Sequence, residues 1–206
     1  MANSRAADNG VQSGPLLTAF PAGLRSEVTV VTDLIRPSTA THPGAAVVVR
    51  GESLNVPYRI HHECDDTLFP QLNSAQAAIY ACVLTRHLDG HVRQRNIGRL
   101  ATSPEPWIAP FIVHLCGEYV IEILAEIEAN LPSMDQCVYG AFFRENPVFM
   151  KRTHDRMISY WDCYYRWLYK RKLDYVGFRV FERFHEWCGS SWRPLVRRPW
   201  STHERL

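Results

Sequence analysis

A helix, glycine turn, helix pattern occurs twice between Asn73 and Leu131, and it constrains the fold more than any other feature. The tetrapeptide His87-Leu88-Asp89-Gly90 returns 27 positions later as His114-Leu115-Cys116-Gly117. Each copy lies between segments whose apolar residues recur every three or four positions, as on one face of an α-helix. The pattern therefore predicts short helices packed side by side, and it indicates no particular chemistry.

Capping and breaking residues divide the second half of the chain into helical segments. Asn73 or Ser74 can cap the first of them, and Pro147 after Asn146 is placed to open another. The segments end at Asp89-Gly90, before Ser103-Pro104, at Pro132 and before Gly189. The predicted helices cover residues 74–88, 91–101, 107–131, 134–143, 147–173 and 175–188.

The first third of the chain differs in composition from the rest. Residues 1–26 are rich in Ala, Ser, Asn, Gly and Pro, which predicts a disordered arm. Residues 27–72 are predicted to be extended with short strands: β-branched residues mark 27–35, and 45–50 and 56–61 are expected to pair as a hairpin through the loop 51–55.

A helical domain over residues 73–190 and a basic tail over 191–206 complete the predicted organisation. The predicted fold class is mainly α. Five to six helices stack as antiparallel pairs, in a solenoid or an irregular bundle, with a small N-terminal β-hairpin.

Large rings concentrate near the C-terminus of the helical domain. Eleven of the 24 aromatic residues lie between Tyr160 and Trp187. Buried rings remove much apolar area from water, so we expect them to join the last two long helices. The residues predicted to form that seam are Trp161, Tyr164, Leu168, Phe178, Phe181 and Trp187.

Residues 74–131 resemble a HEAT-type helical repeat. The resemblance rests on Leu88-Asp89-Gly90-His91-Val92-Arg93, followed by Ile97 and Leu100, where an Asp in the turn precedes a Val-Arg pair. The second copy, Leu115-Cys116-Gly117-Glu118-Tyr119-Val120, keeps the glycine and lacks both other features. The 27-residue spacing is also shorter than the ~40 residues usual for these repeats. The resemblance implies stacked helix pairs that act as a binding scaffold.

Charge is segregated along the chain although the net charge is only +2. Residues 101–135 hold six acidic residues and no Lys or Arg, whereas residues 86–100 and 136–172 are basic. Glu118, Glu122 and Glu126 are spaced to line one helical stripe, where like charges repel weakly. Two sets of cations are candidates to neutralise that stripe, either Arg93, Arg95 and Arg99 or Lys151, Arg152 and Arg156. The three glutamates and the first set of arginines are the predicted partner-binding residues.

The cysteines and the N-terminus favour a reduced compartment. Six cysteines are separated by at least 18 residues and form no Cys-x-x-Cys pair. The first 20 residues contain no signal-peptide core, and no apolar run approaches the ~20 residues of a membrane span. We therefore expect a soluble, cytoplasmic protein that does not contact a membrane.

Several weaker patterns suggest chemistry. Residues 61–66 concentrate metal-binding side chains but lack a convincing second ligand pair, and Glu182-x-x-His185 lacks the second copy that a di-iron site needs. No sequence motif of nucleophilic or nucleotide-binding sites is present. Neither a metal nor a cofactor is predicted.

Three functions are compatible with these sequence patterns. The favoured prediction is a non-catalytic interaction module (an adaptor, regulator or assembly component) that binds another protein. A nucleic-acid-binding protein that uses the basic aromatic helix 147–173 is the first alternative. An enzyme whose Cys/His site assembles only in space is the second. An apolar helix face serves a core and an interface alike, so a homo-oligomer is compatible with all three.

Overall fold

The structure is a computed structural model that describes residues 16–35 and 44–189. Within these ranges the chain forms nine α-helices and one two-stranded antiparallel sheet, which confirms the predicted mainly α fold class with a small hairpin. No helix in the described ranges is both long and apolar enough to cross a bilayer. The first part of the predicted arm, residues 1–15, and the predicted tail, residues 191–206, lie outside the described residues.

The helices and strands follow one another in chain order as α1 (Arg25–Ile35), β1 (Ala45–Val49), β2 (Glu52–Val56), α2 (Ser74–Leu84), α3 (Gly90–Arg95), α4 (Ile97–Ala101), α5 (Ala109–Leu115), α6 (Ile121–Asn130), α7 (Gln136–Glu145), α8 (Pro147–Tyr160) and α9 (Val176–Cys188). A π-helical turn, Trp161–Tyr165, continues directly from α8.

The segment 27–35, predicted to be a strand, is helix α1. Val28 and Val31 lie three positions apart on the face that is buried, and the helix packs against α2. The hydroxyls of Thr29 and Thr32 donate to backbone carbonyls one turn earlier. Burial of one helical face therefore outweighs the preference of β-branched residues for strands.

The chain before α1 also differs from the predicted arm. Leu16, Ala19 and Phe20 are at most 2% exposed and belong to the hydrophobic core. The backbone carbonyl of Thr18 accepts a hydrogen bond from Asn55 N at 2.7 Å, which fastens this segment to β2. The composition of residues 1–26 as a whole hides the apolar run 16–20, which carries these three buried side chains.

The hairpin is tighter than predicted. Val49 pairs with Glu52, so Arg50 and Gly51 alone form the turn, with φ of 50° and 81°. Two consecutive positive φ values match the type I′ turns that suit the twist of a hairpin. The second strand therefore occupies 52–56, in place of the predicted 56–61, and Leu54 and Val56 alternate into the core.

Helix α2 lies at the centre of the molecule. Asn73 and Gln76 form a capping box at its start, which confirms the predicted cap. All residues from Ile79 to Leu84 are buried, so other elements surround the second half of this helix on every side. The helix ends at Leu84, earlier than the predicted Asp89-Gly90 stop, because Asp89 instead caps α3 through His91 N.

Two predicted helices are interrupted. Asn96 separates α3 from α4, and its side-chain amide donates to the backbone carbonyl of Val92 at 2.7 Å. The segment 116–120 separates α5 from α6. Gly117 there packs against α8, where an added Cβ would lie 3.3 Å from Thr153 Cγ2. Helix α9, followed by Gly189 at a φ of 70°, packs against α6 and α7 and closes the structure.

Candidate functional site

Glu118 lies in the segment between α5 and α6 and contacts three guanidinium groups. Its Oε1 is 3.0 Å from Nη1 of Arg59 and 3.7 Å from Nη2 of Arg86, and its Oε2 is 2.9 Å from Nε of Arg93. Arg86, Arg93 and Glu118 are buried, and the Arg59 side chain is 13% exposed. These four residues are called the arginine–glutamate cluster below.

Backbone contacts hold the cluster at the C-terminal end of α2. Ile60 N donates to the carbonyl of Arg86 at 2.9 Å, which brings the neighbouring Arg59 beside it. Arg93, on α3, donates from Nη1 to the backbone carbonyls of His87 and Leu88. A cation at this end of a helix is favourable, because the last carbonyls carry partial negative charge.

Burial shifts the ionisation of the cluster. Burial lowers the pKa of Arg86 to about 9, while the carboxylate of Glu118 opposes that shift. Burial likewise lowers the pKa of Arg93, again against the effect of Glu118. Both guanidinium groups stay charged at neutral pH, so the four residues together carry three positive charges and one negative charge.

His114, on α5, connects the cluster to a cavity. Its Nδ1 lies 2.9 Å from Nη1 of Arg86, and since a guanidinium can only donate, Nδ1 accepts this hydrogen bond. Burial, reinforced by the charges of Arg86, Arg156 and Arg59, holds the pKa of His114 well below its usual value. The ring is therefore neutral and carries its proton on Nε2.

The cavity, called the α5–α8 cavity below, has a volume of about 460 Å³. Its polar wall includes Tyr58, His114, Arg152 and Arg156, and Glu145 lies at the side of β1. The remaining lining residues come from the start of β1, the α5–α6 segment and the first turns of α8, namely Gly44, Ala45, Ala46, Gly117, Asn146, Pro147, Val148, Phe149 and Thr153.

Arg156 links this cavity to an exposed group of rings. Its Nη2 donates to Tyr58 Oη at 3.2 Å. Burial would lower the pKa of Arg156, but hydrogen bonds to Tyr160 and Tyr58 outweigh it and raise the pKa. Tyr160 in turn packs against Tyr119 and Tyr164, with ring centroids 6.0 and 6.2 Å away.

Beyond these rings the chain exposes large apolar side chains. Trp167 is 75% exposed, and Tyr119, Tyr164 and Leu168 are each more than half exposed. The indole N–H of Trp167 donates to the backbone carbonyl of Tyr164 at 2.9 Å. Tyr119, Tyr160, Tyr164, Trp167 and Leu168 are called the aromatic surface below. Four exposed cations border it in sequence and form its basic rim: Arg166, Lys170, Arg171 and Lys172.

Only some of the residues predicted to form the aromatic seam between the last two long helices are buried there. Trp161 packs edge-on against Phe178 at 5.2 Å, and Phe181 and Trp187 are buried. Tyr164 and Leu168 instead face solvent. The π-helical turn after α8 winds more loosely than an α-helix, so the side chains that follow it leave the face that an α-helical spacing assigns to them.

The six predicted partner-binding residues do not form one surface. Glu118 and Arg93 are buried against each other, which corrects their placement on an exposed helical stripe. The cause is the break at Gly117, which puts Glu118 outside α6 and turns it inward. The other four stay predictions, because Glu122, Glu126, Arg95 and Arg99 all keep exposed area.

Three of those four residues have local partners. Arg95 and Arg99 lie 3.0 and 3.9 Å from the two carboxylate oxygens of Asp66, and Arg99 also covers the ring of Phe69. Glu126 accepts a hydrogen bond from Asn130 at 3.0 Å. Arg95 and Arg99 therefore pair with Asp66 and not with the acidic stripe that they were predicted to neutralise.

The described residues hold no group of three or more His, Cys, Asp or Glu side chains placed to hold a metal ion. Around the acidic segment 61–66, His62 contacts the backbone carbonyl of Glu63, and His87 contacts that of His62. None of the six cysteines, all within the described ranges, forms a disulfide. Burial raises the pKa of Cys82 and Cys116, which keeps both thiols protonated and weakly nucleophilic.

Sequence reasoning missed most of the cavity wall. Tyr58 and Arg59 lie in a segment predicted as a strand, and Arg86 falls on an apolar face of the predicted helix 74–88, beside Ile79, Cys82 and Val83. A charged residue on such a face is itself a signal, because a buried charge requires a partner. The four-residue spacing of His114 and Glu118 was visible in the sequence, but their shared neighbour Arg86 was not.

Comparison of the chain with family models, with curated proteins and with solved structures found no match. The function is therefore argued from the site alone.

Proposed function

We propose that this chain is a non-catalytic helical binding module that docks another protein on the aromatic surface. The observation that carries the proposal is the exposure of Trp167, at 75%, beside Tyr164 and Leu168. Rings and aliphatic groups this exposed lose contact with water when a partner covers them, which favours association. Tyr and Trp are also enriched among the residues that dominate binding energy at protein interfaces.

The positive charge around the aromatic surface indicates the composition of the segment that docks there. The basic rim and Asp162 leave the segment 160–173 with four positive charges and one negative charge. Arg166 is already paired with Asp162, whereas Lys170 and Arg171 are exposed beyond that pair. The segment that docks here is accordingly apolar at its centre and acidic at its flanks. The proposal keeps the cytoplasmic, reduced location expected from the cysteines.

A single-stranded nucleic acid is the second candidate, because exposed rings beside Lys and Arg suit bases and phosphates. The ring geometry supports it less well. Tyr119, Tyr160 and Tyr164 tilt against one another by 32–62° and pack closely together. Leu168 and Leu173, both more than half exposed, add aliphatic area that stacking does not use.

A random peptide library selected on the purified full chain tests the proposal. We expect enriched peptides with aromatic or aliphatic centres and Asp or Glu flanks. Trp167→Ala should abolish their binding, whereas Leu88→Ala, which removes a side chain that is 54% exposed and lies outside this surface, should not. Peptides that bind independently of Trp167 would contradict the proposal.

Titration with a labelled mixed-sequence RNA oligonucleotide at low salt distinguishes nucleic-acid binding from protein docking. Strong binding that falls steeply with salt, and that is lost when Lys170, Arg171 and Lys172 become Ala, would identify nucleic acid as the partner. The protein-docking proposal expects weak binding in this assay. It also expects the triple variant to lose only the acidic preference of the selected peptides.

A further inference from the structure

The α5–α8 cavity has the size of a small-molecule site. Its volume of about 460 Å³ lies within the ~300–1,000 Å³ typical of such sites. Its lining combines apolar residues, Ala45, Pro147, Val148 and Phe149, with polar and charged ones. Sites of this kind commonly combine an apolar body with a few polar groups that fix the orientation of a ligand.

The first turn of α8 forms part of the cavity wall. Asn146, at the capping position, makes no capping hydrogen bond with its side chain. Its amide instead exchanges two hydrogen bonds with the backbone of Val48 in β1, at 2.7 and 2.6 Å. The positive end of a 14-residue helix therefore borders the cavity without the side-chain oxygen that usually caps it.

Cationic and donor side chains lie on the same wall. Arg152 and Arg156 are one turn apart on α8, and both line the cavity. His114 lines it too, and because its Nδ1 accepts from Arg86, its Nε2 is a hydrogen-bond donor. A guanidinium pair, an imidazole N–H and a helix N-terminus are all donors, and together they suit an anion.

The arginine–glutamate cluster adds a charge surplus directly behind this wall. Three guanidinium groups share one carboxylate there, which leaves two positive charges in a buried region. Arg59 also covers the ring of Tyr58 at 4.6 Å, and that ring lines the cavity. On the wall itself, Arg152 and Arg156 outnumber the one carboxylate, Glu145. Buried charge is costly unless opposite charge lies near it.

From these four features we propose that the α5–α8 cavity binds a small molecule that carries a phosphate group on an apolar or aromatic body. A phosphate monoester carries about −1.5 to −2 at neutral pH, which matches the surplus behind the wall better than the single charge of a carboxylate. The apolar lining residues at the start of α8 and β1 contact the body of the ligand. This proposal does not rest on the protein-docking proposal, although Arg156 contacts both the cavity and Tyr160 of the aromatic surface.

Calorimetric titration of the full chain with phenyl phosphate, inorganic phosphate, benzoate and benzyl alcohol tests the proposal. Phenyl phosphate should bind most tightly, because it contacts both the cationic and the apolar lining residues, and benzyl alcohol should not bind measurably. Replacing Arg152 or Arg156 by Gln should each weaken phenyl phosphate binding about tenfold or more, the loss expected for one charge-assisted contact. The His114 ring nitrogen signals should also shift on addition of phenyl phosphate.

Lys151→Gln is the matched control, since Lys151 is adjacent to Arg152, pairs with Asp155 on the surface and does not line the cavity. The control should change the affinity by no more than about twofold, the effect of one screened surface charge. Equal weakening by all three variants, or no saturable binding of either phosphate at millimolar concentration, would overturn the proposal. Should Arg156→Gln fail to fold, the exposed Arg152 still decides the outcome, because its removal disturbs no packing.

Discussion

Glu118 is the one carboxylate that the three guanidinium groups of its cluster share. Arg86 is completely buried, and the Glu118 side chain is 4% exposed. A buried guanidinium without a counter-charge is strongly destabilising, whereas the intact pair is nearly neutral in its net effect. The role of Glu118 is therefore to make the burial of Arg86 and Arg93 tolerable, and through them to hold α2, α3 and α5 together.

Replacing Glu118 by Gln should lower the free energy of unfolding by about 3–5 kcal/mol, the usual cost of breaking a buried pair. Glutamine keeps the shape of the side chain, so the decrease in the free energy of unfolding measures the effect of removing the negative charge. Urea denaturation at pH 7 measures it. Glu122→Gln, an exposed change at the start of α6, should remain within ~0.5 kcal/mol of the unaltered chain. A similar small effect of both changes would show that the arginines do not need Glu118.

The neutral state of His114 predicts a dependence of stability on pH. In the unfolded chain this histidine takes up a proton near pH 6.5, whereas the folded chain holds its pKa well below that value. The unfolded state therefore binds more protons below about pH 6.5, and stability falls as the pH is lowered from there. His185, whose pKa burial and then His154 lower to about 4, acts in the same direction and over the same window.

His114→Asn tests this dependence, because the amide oxygen can replace Nδ1 as the acceptor for Arg86. The melting temperature of the variant should fall less steeply between pH 7 and pH 4.5 than that of the unaltered chain. Exposed His91→Gln should leave the slope as it is. An unchanged slope in His114→Asn would mean that this ring takes up its proton equally in the folded and unfolded chain, which would contradict a lowered pKa.

At the scale of elements, the closest helix contact joins α7 and α9 at Gly140. An added Cβ at Gly140 would overlap the backbone carbonyl oxygen of Trp187 and lie 3.1 Å from its carbonyl carbon. Backbone cannot move aside as a flexible side chain does. The absence of a side chain at this one position in α7 therefore sets the distance between the two helices.

Gly140→Ala should destabilise the chain by about 1–3 kcal/mol, as overpacking does, although alanine favours the helix itself. Gly98→Ala in α4 is the matched control. Its added Cβ would lie 3.9 Å from the nearest atoms, so the gain of about 0.5–1 kcal/mol from helix propensity should appear alone. Thermal unfolding of both variants gives the comparison, and stabilisation by both would contradict the close contact at Gly140.

Local signals in the sequence predicted the elements that local chemistry decides. Asn73 caps α2, Asn146-Pro147 opens α8, and Gly189 follows α9, all at the positions that cap and proline rules indicate. Helix α1 was missed because its conformation depends on burial against α2, which a β-branched sequence does not show. The same reason applies to Glu118, whose inward direction depends on arginines far away in the chain.

At the scale of the whole molecule, the described residues share one hydrophobic core. Helix α9 packs against both α6 and α7, and α1 packs against α2, so elements distant in sequence lie side by side. Open repeat arrays place mainly consecutive units in contact. The resemblance of residues 74–131 to HEAT-type repeats stays a prediction, and the closure by α9 adds contacts that the resemblance does not imply.

The segment 16–35 contributes side chains to this common core, so we expect it to unfold together with the helices. Phe20 packs against Phe111 and Trp107 of the α5 region, with ring centroids 5.1 and 5.6 Å away. Phe20→Ala should therefore lower the free energy of unfolding by about 3–5 kcal/mol. Tryptophan fluorescence and far-ultraviolet circular dichroism should report the same single transition, moved to lower denaturant concentration.

Val30→Ala is the control for this last change, because Val30 on α1 is 42% exposed and should cost little. A segment that docked weakly on an independent helical domain would behave differently in Phe20→Ala. It would separate in a small early transition and leave the main transition where it was. One shared transition that moves as a whole shows instead that the first described residues complete the core around α2.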